Sequence, residues 1–193
     1  SMLALSFSVT FGTVIVAAHQ VAISYASLMF MIPLSLHSAT TIHVGHQVGR
    51  GDMLAGRNAG WSGIAMCGLV MALSSLVILA AREPIAAAYT SDAEVRALAV
   101  WLLLFVAAFQ LPDGLQVGAA GALRGFKDAH VPMGLNFAAY WLIGFPAAWW
   151  FGIRQGFGPS GIWAGLIVGL VVCAVFLLLR FRQITRRRLA MAA

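Results

Sequence analysis

The sequence predicts an all-α integral membrane protein built as a polytopic helical bundle. Of its 193 residues, 61% are hydrophobic and only 9% are charged, and the mean hydropathy is +0.90. An average soluble domain has about 25% charged residues. Charge-free stretches of about 20 residues, the length that crosses a bilayer, recur along the chain. Together these observations exclude a water-soluble fold.

The charge-free stretches predict five complete transmembrane helices and the end of a sixth. Gly12 and Thr13 predict a turn, so residues 1–11 are expected to be the truncated end of a preceding helix. Pro33 predicts a kink in the first complete helix, because proline removes a backbone hydrogen bond. The predicted spans are about 14–36, 58–81, 97–117, 131–153 and 160–180, followed by a basic tail at 181–193.

The distribution of Lys and Arg predicts the orientation in the membrane. If the basic tail is cytoplasmic, the loops at 50–57 and 124–128 are cytoplasmic too. That side then carries nine of the twelve Lys and Arg residues. This asymmetry predicts a multi-pass protein of the inner (plasma) membrane with a cytoplasmic C-terminus. The net charge of +6 does not indicate a nucleic-acid partner, because the basic residues sit in short gaps between apolar runs.

Asp113 is the only acidic residue within a predicted span. A carboxylate at membrane depth costs about 2.5–3.5 kcal/mol, so it normally faces a cavity, a partner or a coupling ion. The alternative is a water-facing aspartate, since Arg124 lies only a few turns further along the helix. Gln110 and Gln116 lie three positions to either side of Asp113, on the same helix face, and are expected to share hydrogen bonds with it.

Two patterns indicate chemistry of another class, and neither is complete. Residues 158–161 read Gly-Pro-Ser-Gly, which resembles the nucleophile region of rhomboid intramembrane proteases. That chemistry needs a histidine base on a later helix, and no histidine follows His130. Ser160 is therefore predicted to be a helix N-cap. His43 and His46 lack acidic or cysteine neighbours, so no metal site and no enzymatic activity are expected.

Glycine and tryptophan residues predict how the helices pack. Gly161, Gly165 and Gly169 form a row at four-residue spacing, which allows close approach of helix backbones in lipid. Gly114 and Gly118 repeat that spacing. Tryptophans near the predicted membrane surfaces are expected to form an interfacial belt. They are Trp61, Trp149, Trp150 and Trp163.

The ordered motifs along the chain resemble the C-terminal half of transporters of the multidrug and toxic compound extrusion (MATE) family, NorM type. The most specific part is Gln110-x-x-Asp113-x-x-Gln116. The other matching stretches are 17–22, 44–49, 85–90, 121–128, 140–141 and 161–165. The similarity covers almost the whole chain.

The resemblance implies one lobe of a twelve-helix, two-lobe secondary antiporter. Such a transporter exports cationic or amphiphilic drugs in exchange for Na⁺ or H⁺, with the N-terminal lobe as partner and no cofactor. It implies cation coupling at Asp113, supported by Gln110 and Gln116. Phe105, Phe109 and Trp101 are candidate cation–π contacts for the substrate. The position of Phe109 is often a tyrosine in the family. A lipid-linked saccharide flippase or a metabolite exporter of similar architecture is the alternative.

Overall fold

The computed structural model describes residues 12–192, and these residues form a helical bundle. The all-α prediction is confirmed. Residues 1–11, predicted to be the end of a preceding helix, lie outside the described residues. The helices are α1 (Thr13–Gly49), α2 (Met53–Tyr89), α3 (Ala93–Gly125), α4 (His130–Ala138), α5 (Phe145–Trp149) and α6 (Gly158–Ala192).

Helices α1, α2, α3 and α6 are each long and apolar enough to cross a membrane. Two short π-helical segments alternate with α4 and α5. The first, π1 (Ala139–Gly144), joins α4 to α5, and the second, π2 (Trp150–Arg154), follows α5. The junction residues Ala139, Phe145 and Trp150 all have right-handed helical backbone angles. Residues 130–154 therefore form one continuous rod, about 37 Å long at about 1.5 Å per residue. We call it the α4–π2 rod.

Local sequence signals explain where the helices begin and bend. Asp52 caps α2 by accepting a hydrogen bond from the Ala55 amide, and Asp92 caps α3 by accepting from the amides that follow it. Helix α1 continues through Pro33 as one element. Helix α2 has non-helical angles at Ala81 (φ −121°, ψ 19°), just before Pro84, whose ring clashes with the preceding turn.

Helix α3 lies at the centre of the bundle and contacts α1, α2 and α6. Glycines allow its backbone to approach its neighbours closely. A Cβ atom at Gly114 would lie 2.7 Å from the Cys67 carbonyl oxygen of α2, and one at Gly121 would lie 2.8 Å from the His37 carbonyl oxygen of α1. Thr41 on α1 also donates a hydrogen bond to the Gly121 carbonyl at 3.0 Å. Such packing and hydrogen bonding hold helices together in lipid.

The glycine row of α6 packs against the α4–π2 rod, as the four-residue spacing predicts. A Cβ at Gly161 would lie 2.5 Å from the Phe151 carbonyl oxygen, and one at Gly169 would lie 2.7 Å from the Gly144 Cα. A Cβ at Gly165 would overlap the backbone of Ala148. Because these contacts are with backbone atoms, larger residues cannot be accommodated by rotating a side chain.

We expect Gly165→Ala to destabilise the protein by about 1–3 kcal/mol, because the added methyl group overpacks a backbone contact. Gly134→Ala is the matched control, since a Cβ there meets no atom within 4 Å. It should leave the thermal midpoint unchanged or raise it, because alanine favours helix more than glycine does. Thermal unfolding in detergent measures both effects, and equal midpoints for the two variants would contradict the close packing.

Candidate functional site

A cavity of about 1040 Å³ lies between α1, α3, the α4–π2 rod and α6. We call it the lobe cavity. Its wall carries His19 from α1, Asp113 from α3, Tyr140 from π1 and Trp163 from α6. The rest of the lining is mainly apolar. Seven aromatic side chains contribute: Phe30, Phe109, Tyr140, Trp141, Phe145, Trp149 and Trp163.

Asp113 is 7% exposed, and it lines the lobe cavity. Within residues 12–192 its carboxylate forms neither a hydrogen bond nor an ion pair. Asp128 behaves in the opposite way, since it receives a 2.7 Å hydrogen bond and ion pair from Arg180 Nε at the end of the bundle. Every fully buried side-chain oxygen in the described residues has a hydrogen-bond partner, so the unpaired carboxylate oxygens of Asp113 open onto the lobe cavity.

The two glutamines beside Asp113 form hydrogen bonds with other residues. Gln110 Nε2 donates to Ser74 Oγ at 3.0 Å, which connects α3 to α2. Gln116 Oε1 accepts from the Tyr140 hydroxyl at 3.0 Å, and Gln116 Nε2 donates to Asn136 Oδ1 at 3.3 Å. The expectation that these amides share hydrogen bonds with Asp113 is thus wrong. Helix packing provides nearer partners for both.

An aromatic corner of the lobe cavity forms around Trp163. Trp163 Nε1 donates to His19 Nδ1 at 3.3 Å, and the Phe109 ring contacts Trp163 edge-on at 6.1 Å between centroids. Trp163 is 4% exposed and packed inside the bundle, so it does not form part of the predicted surface belt of tryptophans. Phe109 and Trp163 offer π faces and edges to a ligand in the cavity.

Phe105 and Trp101, predicted to be candidate substrate contacts, lie outside the lobe cavity wall. They contact each other at 6.1 Å between ring centroids. Trp101 Nε1 donates to Ser160 Oγ at 3.0 Å. The N-cap prediction for Ser160 is also wrong, since α6 begins at Gly158. Ser160 instead connects α6 to α3.

Tyr140, His19 and Trp163 line the cavity, and none of them was among the predicted site residues. The sequence around Tyr140 could have indicated that this residue lies in a polar site. It lies four positions after Asn136 in a charge-free span, so two polar side chains share one helix face. His19 and Trp163 are 144 residues apart in sequence. Only the tertiary fold brings them together.

An ionisable residue facing a cavity inside a membrane bundle is typical of transport proteins. The MatE family model matches residues 1–150, so the chain belongs to the MatE family. It is 50% identical over 182 residues to the probable multidrug resistance protein NorM of Xanthomonas campestris pv. campestris, covering 94% of the chain and 40% of that protein. It is 43% identical over 177 residues to the multidrug resistance protein PmpM of Pseudomonas aeruginosa, covering 90% and 37%.

Solved structures show the same fold. The eukaryotic MATE transporter AtDTX14 matches with a TM-score of 0.87 at 23% identity, over 100% of this chain and 44% of that one. An outward-facing multidrug resistance MATE transporter matches with a TM-score of 0.86 at 18% identity, over 97% and 43%. The chain thus spans about 40% of the length of the curated relatives it matches.

We expect Asp113→Asn to raise the thermal midpoint or leave it unchanged, because the neutral amide is less costly to bury than an unpaired carboxylate. Asp128→Asn is the matched control. It should lower stability by about 1.5–3 kcal/mol, through loss of a charge-assisted hydrogen bond to Arg180. Thermal unfolding in detergent at neutral pH compares the two. A comparable loss in both variants would show that Asp113 is paired.

Proposed function

We propose that the chain is the C-terminal lobe of a two-lobe secondary antiporter that exports cationic or amphiphilic drugs in exchange for Na⁺ or H⁺. The carrying observation is Asp113, a carboxylate that lacks a protein partner among residues 12–192 and lines an aromatic cavity within the membrane bundle. The multidrug resistance names of the relatives support the substrate class.

Competition for a single carboxylate is sufficient to couple two fluxes. Ionised Asp113 attracts a cation in a poorly hydrated cavity. Binding of Na⁺ or H⁺ neutralises the carboxylate and weakens its hold on a cationic drug. The two ligands therefore favour different states of one site, as antiport requires. Phe109 and Trp163 contribute π surface that binds the drug whether or not the carboxylate is occupied.

The available ion gradients are large enough to drive such an exchange. One elementary charge moving through 100 mV releases about 2.3 kcal/mol. Each unit of pH gradient adds about 1.4 kcal/mol per proton. The pH gradient can drive exchange of one proton for one monovalent cationic drug, because that exchange moves no net charge. The membrane potential contributes only when more positive charge enters than leaves.

Transport requires a second lobe in this proposal. Alternating access in repeat-built transporters moves one half against the other around a central site. Relatives about two and a half times as long as the matched region, at 40% and 38% coverage, support an N-terminal partner lobe. The cavity of this lobe would face that partner for part of the cycle.

The charge of the lobe cavity favours a cationic drug over a lipid-linked saccharide. Within the described part of the chain, neither Lys nor Arg lines the cavity, and Asp113 is its carboxylate. A lipid diphosphate would meet like charge there and no cation to neutralise it. We propose no enzymatic role for Ser160, whose hydroxyl accepts a hydrogen bond from Trp101.

We also propose that the protein lies in the inner membrane with its C-terminus in the cytoplasm. The loops at 50–52 and 126–129 lie at the same end of the bundle as the basic end of α6, because the helices alternate in direction. The ion pair between Asp128 and Arg180 places two of these segments together. The excess of Lys and Arg at this end supports a cytoplasmic location.

In the complete two-lobe protein, Asp113→Asn should abolish ion-driven efflux while the protein still reaches the membrane. Asp113→Glu should retain part of the activity, because the charge survives and moves by about one methylene. Gradient-driven uptake of a fluorescent cation into everted vesicles, normalised to protein level, measures both. Asp52→Asn controls for loss of an exposed acidic residue elsewhere and should transport normally. Wild-type rates for Asp113→Asn would overturn the coupling role.

Cysteine accessibility tests the proposed orientation. In a background with Cys67 and Cys173 replaced by alanine, Gln155→Cys should react with an impermeant maleimide added to intact cells. Lys127→Cys should react only after permeabilisation, since it lies at the opposite end of the α4–π2 rod. Both native residues are exposed, so either position is reachable once the reagent has access. Labelling of Lys127→Cys but not of Gln155→Cys in intact cells would show that the protein has the opposite orientation.

A further inference from the structure

A chain of polar side chains runs through the bundle next to Asp113. The Tyr140 hydroxyl donates to Gln116 Oε1 at 3.0 Å, Gln116 Nε2 donates to Asn136 Oδ1 at 3.3 Å, and Cys173 Sγ donates to the same Asn136 oxygen at 2.6 Å. These residues come from α3, the α4–π2 rod and α6. Polar networks inside a membrane bundle are costly unless they are satisfied, so their geometry is restrained.

The direction of these hydrogen bonds determines what Tyr140 presents to the lobe cavity. A phenol has one proton and oxygen lone pairs. The Tyr140 hydroxyl donates its hydrogen bond to Gln116 Oε1, so the lone pairs of the phenol oxygen remain free to accept a hydrogen bond or bind a cation. Tyr140 lines the same cavity as Asp113.

The backbone at Tyr140 supports a specialised role. Tyr140 is the second residue of π1, a six-residue π-helical segment. Such segments are rare and are found frequently at functional sites. On α3, Gln116 lies three positions after Asp113, so the residue that orients Tyr140 and the acidic residue share one helix face.

We propose that Tyr140 is a second oxygen ligand for the coupling ion beside Asp113, and that Gln116 is the positioning residue that keeps its lone pairs turned to the ion. This inference rests on the proposed antiport function. With Na⁺, the phenol and carboxylate oxygens both ligate the cation. With H⁺, the protonated carboxyl group of Asp113 donates to the phenol oxygen. Phe109, on the Asp113 helix, has no oxygen to offer, so Tyr140 provides the neutral ligand.

The test measures ion dependence separately from drug dependence in the complete two-lobe protein. Efflux into everted vesicles is recorded against Na⁺ concentration at fixed pH, and against pH at fixed Na⁺. Tyr140→Phe should raise the half-saturating concentration of the coupling ion about three- to tenfold, the worth of one neutral hydrogen bond. The maximal rate and the KM for the drug should stay near wild type. Only one of the two ions should show the shift, which identifies the coupling ion.

Two further variants make the result decisive. Gln116→Met should shift the same ion dependence in the same direction, because the phenol loses its acceptor and turns. Tyr89→Phe is the matched control, since Tyr89 is 43% exposed at the end of α2 and away from the cavity, and it should behave as wild type.

Unchanged ion half-saturation in Tyr140→Phe, with or without a fall in maximal rate, would overturn the inference while leaving coupling at Asp113 intact. Normal ion-driven efflux in Asp113→Asn would overturn the proposed function, and the inference with it.

Discussion

Close backbone contact between helices is the constraint on which the rest of this structure depends. Lipid gives no hydrophobic drive for helices to associate, so van der Waals packing and interhelical hydrogen bonds must hold the bundle together. The lack of a side chain at Gly114 and Gly121 lets α3 contact the backbones of α2 and α1. Gly165 does the same for α6 and the α4–π2 rod. Large aromatic residues occupy other positions on the same helices, and several of them line the lobe cavity.

The lobe cavity determines the environment of the Asp113 carboxylate. A carboxylate on a lipid-facing surface would destabilise the bundle, and one buried against a cation would be satisfied and inert. Asp113 has neither environment, because it is nearly buried and unpaired within the described residues but borders an open space. Asp128 shows the alternative, since its ion pair with Arg180 serves the architecture. Asp128 thus forms an ion pair within the bundle, whereas Asp113 keeps a carboxylate that the proposed antiport would use.

The fold was predictable from sequence to a greater extent than the site. Hydropathy alone gives the all-α bundle, because lipid requires apolar helices of a known length, and the glycine spacing on α6 predicts its packing face. Asp113 stands out because a charge in a span is rare. The partners of Gln110 and Gln116 were mispredicted, since helical spacing shows which residues share a face but not which neighbouring helix meets them. The pairing of His19 with Trp163 depends on tertiary structure, as does the packing of Trp163 inside the bundle.

The number of residues in π1 determines which faces of the α4–π2 rod its two ends present to the other helices. Deleting one residue between 139 and 144 would return this stretch to ordinary α-helical winding and rotate the parts of the rod on either side of it by about 100° relative to each other. Since Gly144 and Ala148 are fixed against α6 by backbone contact, the rotation would fall on the other end, where Asn136 forms its hydrogen bonds. A change of one residue in the length of π1 would therefore disrupt this polar network without altering Asn136, Gln116 or Cys173.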